Sequence, residues 1–312
     1  MIDKNTVVHL GLEKLMLSNP INKTKAYIDK KLLAQLILSN NISIELKDKL
    51  RKLGFIDNEV DEKTHADIQH WYKRNWTNSL NYYLWSYTSH LFDQGEDYEK
   101  KQSKVITEYI DTDGLPVAPR TATKKAVSLG ELADLPNKSL GDVLWEREAV
   151  LATPKRSMKL KELSSILWYG MQDFRSYRNL EIDDNPLNGV NSFGVAFDIY
   201  ICIYSVHSIS PGIYFYDSLK HTLDLINPID LNTLHNKMYK LQFDQKVAHT
   251  ASFAAVLVSH FERYQWRYRH EAALKQIYIN AGQIIHPLML LSTLYIQYAL
   301  TKNYTNPDCT RD

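Results

Sequence analysis

The 312-residue sequence reads as an α+β protein, a mostly antiparallel sheet flanked by long helices, behind a small helical or winged-helix N-terminal module. Three observations predict this class. Val195 to Val206, Gly212 to Tyr216, Leu223 to Ile226 and Ser252 to Phe261 are short runs with the composition of strands. Leu140 to Val150, Leu160 to Gln172 and Glu271 to Leu300 carry apolar residues at helical spacing, the last as one long helix or two. The hydrophobic content of 44% is enough to bury a sizeable core, and at roughly 150 residues per domain the length corresponds to about two domains.

The first block, 1–63, contains Lys31 to Leu38 and then Ser43, Leu46, Leu50 and Leu53 at helical spacing, with Gly54 where a C-terminal cap belongs. Two short helices and an extended Phe55-Ile56 make the small helical or winged-helix module. Around its second helix the basic Lys47, Lys49, Arg51 and Lys52 are matched by Glu45, Asp48, Asp57, Glu59, Asp61 and Glu62. That balance points to peptide docking or a structural role rather than to DNA. Residues 64–110 form an aromatic helical segment with Trp71, Tyr72, Trp76, Tyr82, Tyr83, Trp85 and Tyr87, a density that usually buries area against a second domain. Gly114, Pro116, Pro119, Gly130 and Pro136 mark 111–138 as a linker lying along a surface, and the sheet-bearing domain spans 139–312.

The charges nearly cancel, 37 Lys and Arg against 36 Asp and Glu, so no long-range field gathers nucleic acid, anionic membrane or acidic substrate. Cys202 and Cys309 make neither a disulfide framework nor a metal-ligand set, which fits a reducing compartment. Asp3, Lys4, Glu13 and Lys14 interrupt any signal-peptide core, and a cytoplasmic location is expected. Ile284 to Leu300 is apolar but short for a bilayer, so it reads as a buried helix, and no membrane partner is expected. Phosphate-binding glycine loops, His-Glu-x-x-His and Gly-x-Ser-x-Gly are missing, and the 11 histidines form no pair at metal-binding spacing, so no metal is expected. Arg263 to His270 is a basic and aromatic run of the kind that stacks on bases. With a neutral chain it is better read as the solvated end of a strand entering a helix.

Four segments, in order, resemble the nitroreductase superfamily, and within it the SagB-type dehydrogenases that oxidise azolines to azoles in ribosomal peptide natural products. Glu162 to Gly170 is similar to the family's Glu-Leu-Ser-x-Leu-Leu-Trp helix. Asn191 to Tyr200 is similar to its Pro-Ser-x-Gly passage, and Ser210 to Asp217 with His221 to Leu225 to its Pro-Gly-x-Tyr-x-Tyr-Asp hairpin. Trp266-Arg267-Tyr268 through Asn280-Ala281-Gly282-Gln283 resembles the Lys-Tyr, Tyr-Arg and Ala-Gly-His positions at the head of the central helix.

The resemblance implies a dimer with FMN at the subunit interface, both subunits building each site, and a precursor peptide that loses a proton to a base and a hydride to the flavin. Of the family's Arg-Arg-Ser-x-Arg phosphate clamp, a count back from Trp168 leaves only Arg147, with Ala149 and Leu151 replacing a hydroxyl and a cation. A rival alignment uses Lys155-Arg156-Ser157-Met158-Lys159. Ser192 and Gly194 keep the flavin-facing loop, and Lys275 stands where the family carries an arginine. The catalytic pair falls on Tyr268-Arg269 or, shifted by one, on Arg267-Tyr268, and neither has the family's lysine. Arginine stays protonated, so the base falls to Tyr268 or another group. The sequence reaches Asp312 soon after the central helix, where the family continues into a strand-bearing segment crossing the dimer. These departures imply a degenerate subunit beside a flavin-bearing homologous partner. The alternative is a catalytically complete homodimer.

Overall fold

A computed structural model describes residues 3, 6–10, 14–38, 42–56, 62–86, 98–147, 157–180, 196–242 and 244–296. They fall in two compact units, Met1–Asp93 and Gln94–Asp312.

The first unit opens with three antiparallel strands, β1 (Val7–Leu10), β2 (Leu15–Asn19) and β3 (Thr24–Ile28), in the order β1-β2-β3. Helices α1 (Lys30–Leu38) and α2 (Ile44–Lys52) follow as expected, with the Ser43 hydroxyl accepting from the Leu46 amide and Gly54 at φ 73°. The small N-terminal module thus begins with a three-stranded sheet that the sequence reading did not place. Its strands have only four or five residues, and polar side chains interrupt the apolar ones. Pairing is fixed by a turn in which the Asn19 carboxamide accepts from the Ile21 and Asn22 amides, while Lys23 takes φ 54°. Asn19 also donates to the Gly54 carbonyl at 2.6 Å, tying the sheet to the end of α2 over a core of Leu17, Leu36, Leu50 and Phe55.

The same unit continues past residue 63 through α3 (Glu62–Lys73) and α4 (Thr77–Ser86). Their aromatics pack on one another, with Trp71 stacked on Tyr83 at 5.7 Å and edge-on to Trp76 at 5.9 Å. The Lys25 ammonium lies 4.4 Å over the Trp85 ring and joins β3 to α4.

The second unit holds a five-stranded sheet in the order β4-β7-β6-β5-β8, with every neighbouring pair antiparallel. Its strands are β4 (Val127–Ser128), β5 (Phe197–Ile203), β6 (Gly212–Asp217), β7 (Thr222–Asn227) and β8 (Phe253–Ser259). The four expected strands are β5 to β8. Central β5 is apolar except for Asp198 and Tyr200, and helices cover both of its faces. Phe197, Ile199, Ile201 and Ile203 meet α7 (Leu160–Gly170) and the long α12 (Ala273–Ile296), whereas Cys202 and Tyr204 meet α9 (Leu231–Leu241) and α10 (Val247–Thr250). Helices α5 (Tyr98–Asp113), α6 (Leu140–Glu146), α8 (Gln172–Leu180) and α11 (Phe261–Arg267) complete the unit. By length and composition α12 also passes for a membrane span; here Ile277, Asn280, Ile284, Leu288 and Thr293 form its buried stripe.

Residues 111–138, expected as a linker along a surface, are bonded to the sheet. Buried Asp217 accepts from the Ala122 amide at 3.0 Å, and buried Asp224 from the Thr123 amide at 3.0 Å and its hydroxyl at 2.7 Å. Val127–Ser128 then pairs with Thr222 and Leu223 as an edge strand. Two carboxylates removed from water require donors, and this segment supplies them.

Candidate functional site

The basic and aromatic run after β8 is built into the fold. Arg263 is 3% exposed and donates to the carbonyls of Val117 at 2.8 Å and Ala118 at 3.1 Å. The Trp266 indole donates to the Gly114 carbonyl at 2.9 Å, and Arg269 pairs with Asp113 at 2.6 Å while lying 3.5 Å over the Tyr109 ring. The solvated strand end expected for this stretch is corrected to a clamp on residues 109–118, because the guanidinium and indole groups satisfy backbone carbonyls there.

Between this clamp and residues 113–117 lies a cavity of about 630 Å³, lined among others by Asp113, Val117, Glu262, Trp266, Tyr268 and His270. Tyr268 is half-buried at its wall, its ring 4.6 Å from that of Tyr264 and tilted 38° to it, with the Arg267 guanidinium 5.1 Å over its ring. The Tyr264 hydroxyl titrates well above the usual tyrosine range, first through burial and then through Tyr268, with Asn280 acting against both. The two proposed catalytic side chains are thus adjacent.

The expected flavin contacts divide. Ser192 and Gly194 lie outside the described residues, as do Lys155 and Arg156 of the rival clamp. Met158 of that rival is buried, its amide donating to the Ser205 carbonyl at 3.0 Å and its carbonyl accepting from the His207 amide at 2.9 Å. Arg147 caps the C-terminal end of α6, half-buried, and Lys275 is exposed in the first turn of α12. The two helices pack together, and neither cation has a carboxylate partner among the described residues.

Two polar clusters escaped the sequence reading. Buried Asp198 on β5 accepts from Arg178 of α8 at 3.2 Å and from His260 Nε2 at 2.8 Å. His260, whose side chain is 36% exposed, precedes α11, and its amide donates to the Ala196 carbonyl at 2.7 Å. The contact joins residues 62 positions apart, so no local motif announces it. The second cluster centres on His221, with Ser164 Oγ 2.9 Å from Nε2 and the Tyr216 hydroxyl 2.9 Å from Nδ1. Burial, and then the Arg175 charge, lower the imidazole to about 4. Ser164, Tyr216 and His221 are all buried, so this cluster binds α7 to the β6–β7 hairpin rather than meeting substrate.

No family model matches the sequence. The trifolitoxin operon protein TfxC of Rhizobium leguminosarum bv. trifolii is 26% identical over 165 residues, 49% of this chain and 45% of that protein. The chain thus matches less than half the length of this curated relative. Among solved structures, a protein described as a nitroreductase from Anabaena variabilis has a TM-score of 0.43 at 16% identity, over 56% of this chain and 37% of its own. Another so described, from Ralstonia eutropha JMP134, has a TM-score of 0.36 at 21% identity, over 57% and 76%. The E. coli microcin synthetase McbBCD complex, with truncated pro-MccB17 bound, has 0.35 at 12%, over 66% and 84%.

Proposed function

We propose that this chain is a SagB-type, nitroreductase-like subunit of an FMN-dependent azoline dehydrogenase in peptide natural product maturation, and that it completes its site only with a flavin-bearing homologous subunit. The observation that carries the reading is how the cations are disposed. Arg178, Arg263 and Arg269 are bonded inside the fold, and of the expected clamp Arg147 and Lys275 remain uncommitted. Two cations hold a phosphate weakly, and a facing subunit supplies the rest. FMN, when bound, would supply the hydride acceptor. This chain contributes Arg147 and Lys275 toward the phosphate, Ser192 and Gly194 toward the ring, and Tyr268 with Arg267 at the cavity wall. The trifolitoxin and microcin likenesses support a place in peptide maturation, with a precursor peptide as substrate. In the small N-terminal unit both β1 and β3 are edge strands, which suits docking of an extended peptide.

Purified alone, the chain is expected to be nearly colourless; purified with its homologous subunit, it is expected to show flavin absorbance near stoichiometry and to oxidise a thiazoline-containing peptide. Tightly held FMN on this chain alone, with oxidation of the same peptide, would favour the homodimer. The exposed outer face of α12 gives that alternative its footing, because a second copy covers it equally well.

A further inference from the structure

We infer that the outer face of α6, with Trp145 as its anchor, is where the homologous subunit grips this chain; this rests on the two-subunit reading above. Trp145 is 91% exposed, and no ring contact, ion pair or hydrogen bond reaches its indole among the described residues. Leu140 and Leu144, one turn apart on the same helix, are exposed by 66% and 50%, and Leu135 just before it by 53%. Val143 is the buried residue that seats α6 on the fold. A surface helix ordinarily turns polar residues to water, whereas α6 turns out three large apolar ones. The helix that carries them is firmly held. The Ser139 hydroxyl accepts from the Asp142 amide at 3.1 Å, Lys138 pairs with Glu146 at 2.6 Å, and the Ala133 amide donates to the Ser165 hydroxyl of α7 at 2.7 Å. The apolar side chains are therefore presented on a fixed support.

Size and shape choose the occupant. Helix α6 packs against α12, so a subunit that covers the outer face of α12 lies beside α6 as well. The exposed Tyr278 and Ile279 of α12 offer on the order of 200 Å² of apolar surface, and a stable interface buries about 800 Å² on each partner. The α6 side chains supply most of the apolar surface that is still wanting. A single patch of this extent is more than scattered surface leucines account for. An extended peptide lies in a groove or along a strand edge, but an indole standing this far clear of its own chain fits a recess in a folded partner. Tryptophan in that position is the residue type that most often carries an interface. The recess it implies is apolar, with polar groups at its rim to meet Asp142 and the Lys138–Glu146 pair.

The test uses the full chain and the flavin-bearing homologous subunit. Trp145→Ala is expected to weaken their association roughly 30-fold or more by titration calorimetry, with the Tm of the isolated chain unchanged. Leu144→Glu, which keeps the indole, is expected to weaken it as well. The fluorescence that Trp145→Phe removes is expected to be that of a solvated indole in the isolated chain and to shift to the blue in the complex. Unchanged association in both variants, or an indole that stays solvated in the complex, would overturn the anchor and leave the two-subunit reading standing. A lowered Tm of isolated Trp145→Ala would overturn it too, because the chain's own residues then cover the ring. Loss of precursor-peptide binding or of self-association, in place of subunit binding, would give the face another occupant and overturn it likewise. A wild-type chain that does not bind the homologous subunit at all would remove that reading, and the anchor with it.

Discussion

His221 shows how much a single buried side chain decides in this fold. It stays neutral between the Ser164 and Tyr216 hydroxyls, one ring nitrogen donating and the other accepting. Its folded-state pKa of about 4 lies below the ordinary value of 6.5, so the unfolded chain binds the proton more readily. The resulting stability is fully present above pH 6.5 and is lost as the pH falls toward 4. Urea unfolding at pH 7 and pH 5 should show a lower midpoint at pH 5. In His221→Phe that acid-side loss should shrink, while stability at pH 7 falls by about 1–3 kcal/mol for each hydroxyl left without a partner. At this scale the sequence discloses little of the chemistry. Tyr268 and Arg267 are legible because they are adjacent, whereas the contacts of His260 with Asp198 and of His221 with Ser164 cross 62 and 57 positions and arise only when strands and helices meet.

Elements are more legible than contacts, for reasons that differ along the chain. Strands β5 to β8 and helices α7 and α12 stand out because long apolar runs are buried in one core. Strands β1 to β3 do not, since pairing and the Asn19 turn hold them rather than composition. Helix α9 carries a readable signal that sequence reading passed over, the Asp230 cap accepting from the Thr233 amide at 2.9 Å. Gly170 shows what a motif residue does inside an element. A Cβ there would sit 2.7 Å from Leu288 Cδ2 and 3.3 Å from Leu288 Cα, so α7 and α12 touch at a point only glycine permits. Gly170→Ala should cost about 1–3 kcal/mol and lower the calorimetric Tm by several degrees. Gly282 is the opposite case, because nothing lies within 4 Å of its added Cβ. In the isolated chain Gly282→Ala should leave Tm unchanged or raise it, by up to about 1 kcal/mol of helix propensity.

On the scale of the whole molecule, that contrast carries the argument for a second chain. Lys275, Tyr278, Ile279, Gly282, Gln283 and His286 are all exposed on α12, and two of them are large apolar residues. A glycine in mid-helix is costly, and here no neighbour among the described residues explains it; the proposed facing subunit, approaching the backbone closely, would. Gly282→Leu should therefore leave the isolated chain folded yet weaken its association with the partner, and sedimentation of the mixture should show the separate species. The α+β architecture is readable from the sequence; the proposed sharing of a site between two chains is less so, because a flavin held jointly would leave in each sequence only part of its contacts. Native mass spectrometry of the chain mixed with its homologous subunit and FMN tests this most directly. The account predicts a two-chain particle that carries FMN and a single chain that carries none; a lone chain retaining FMN through desolvation would contradict it.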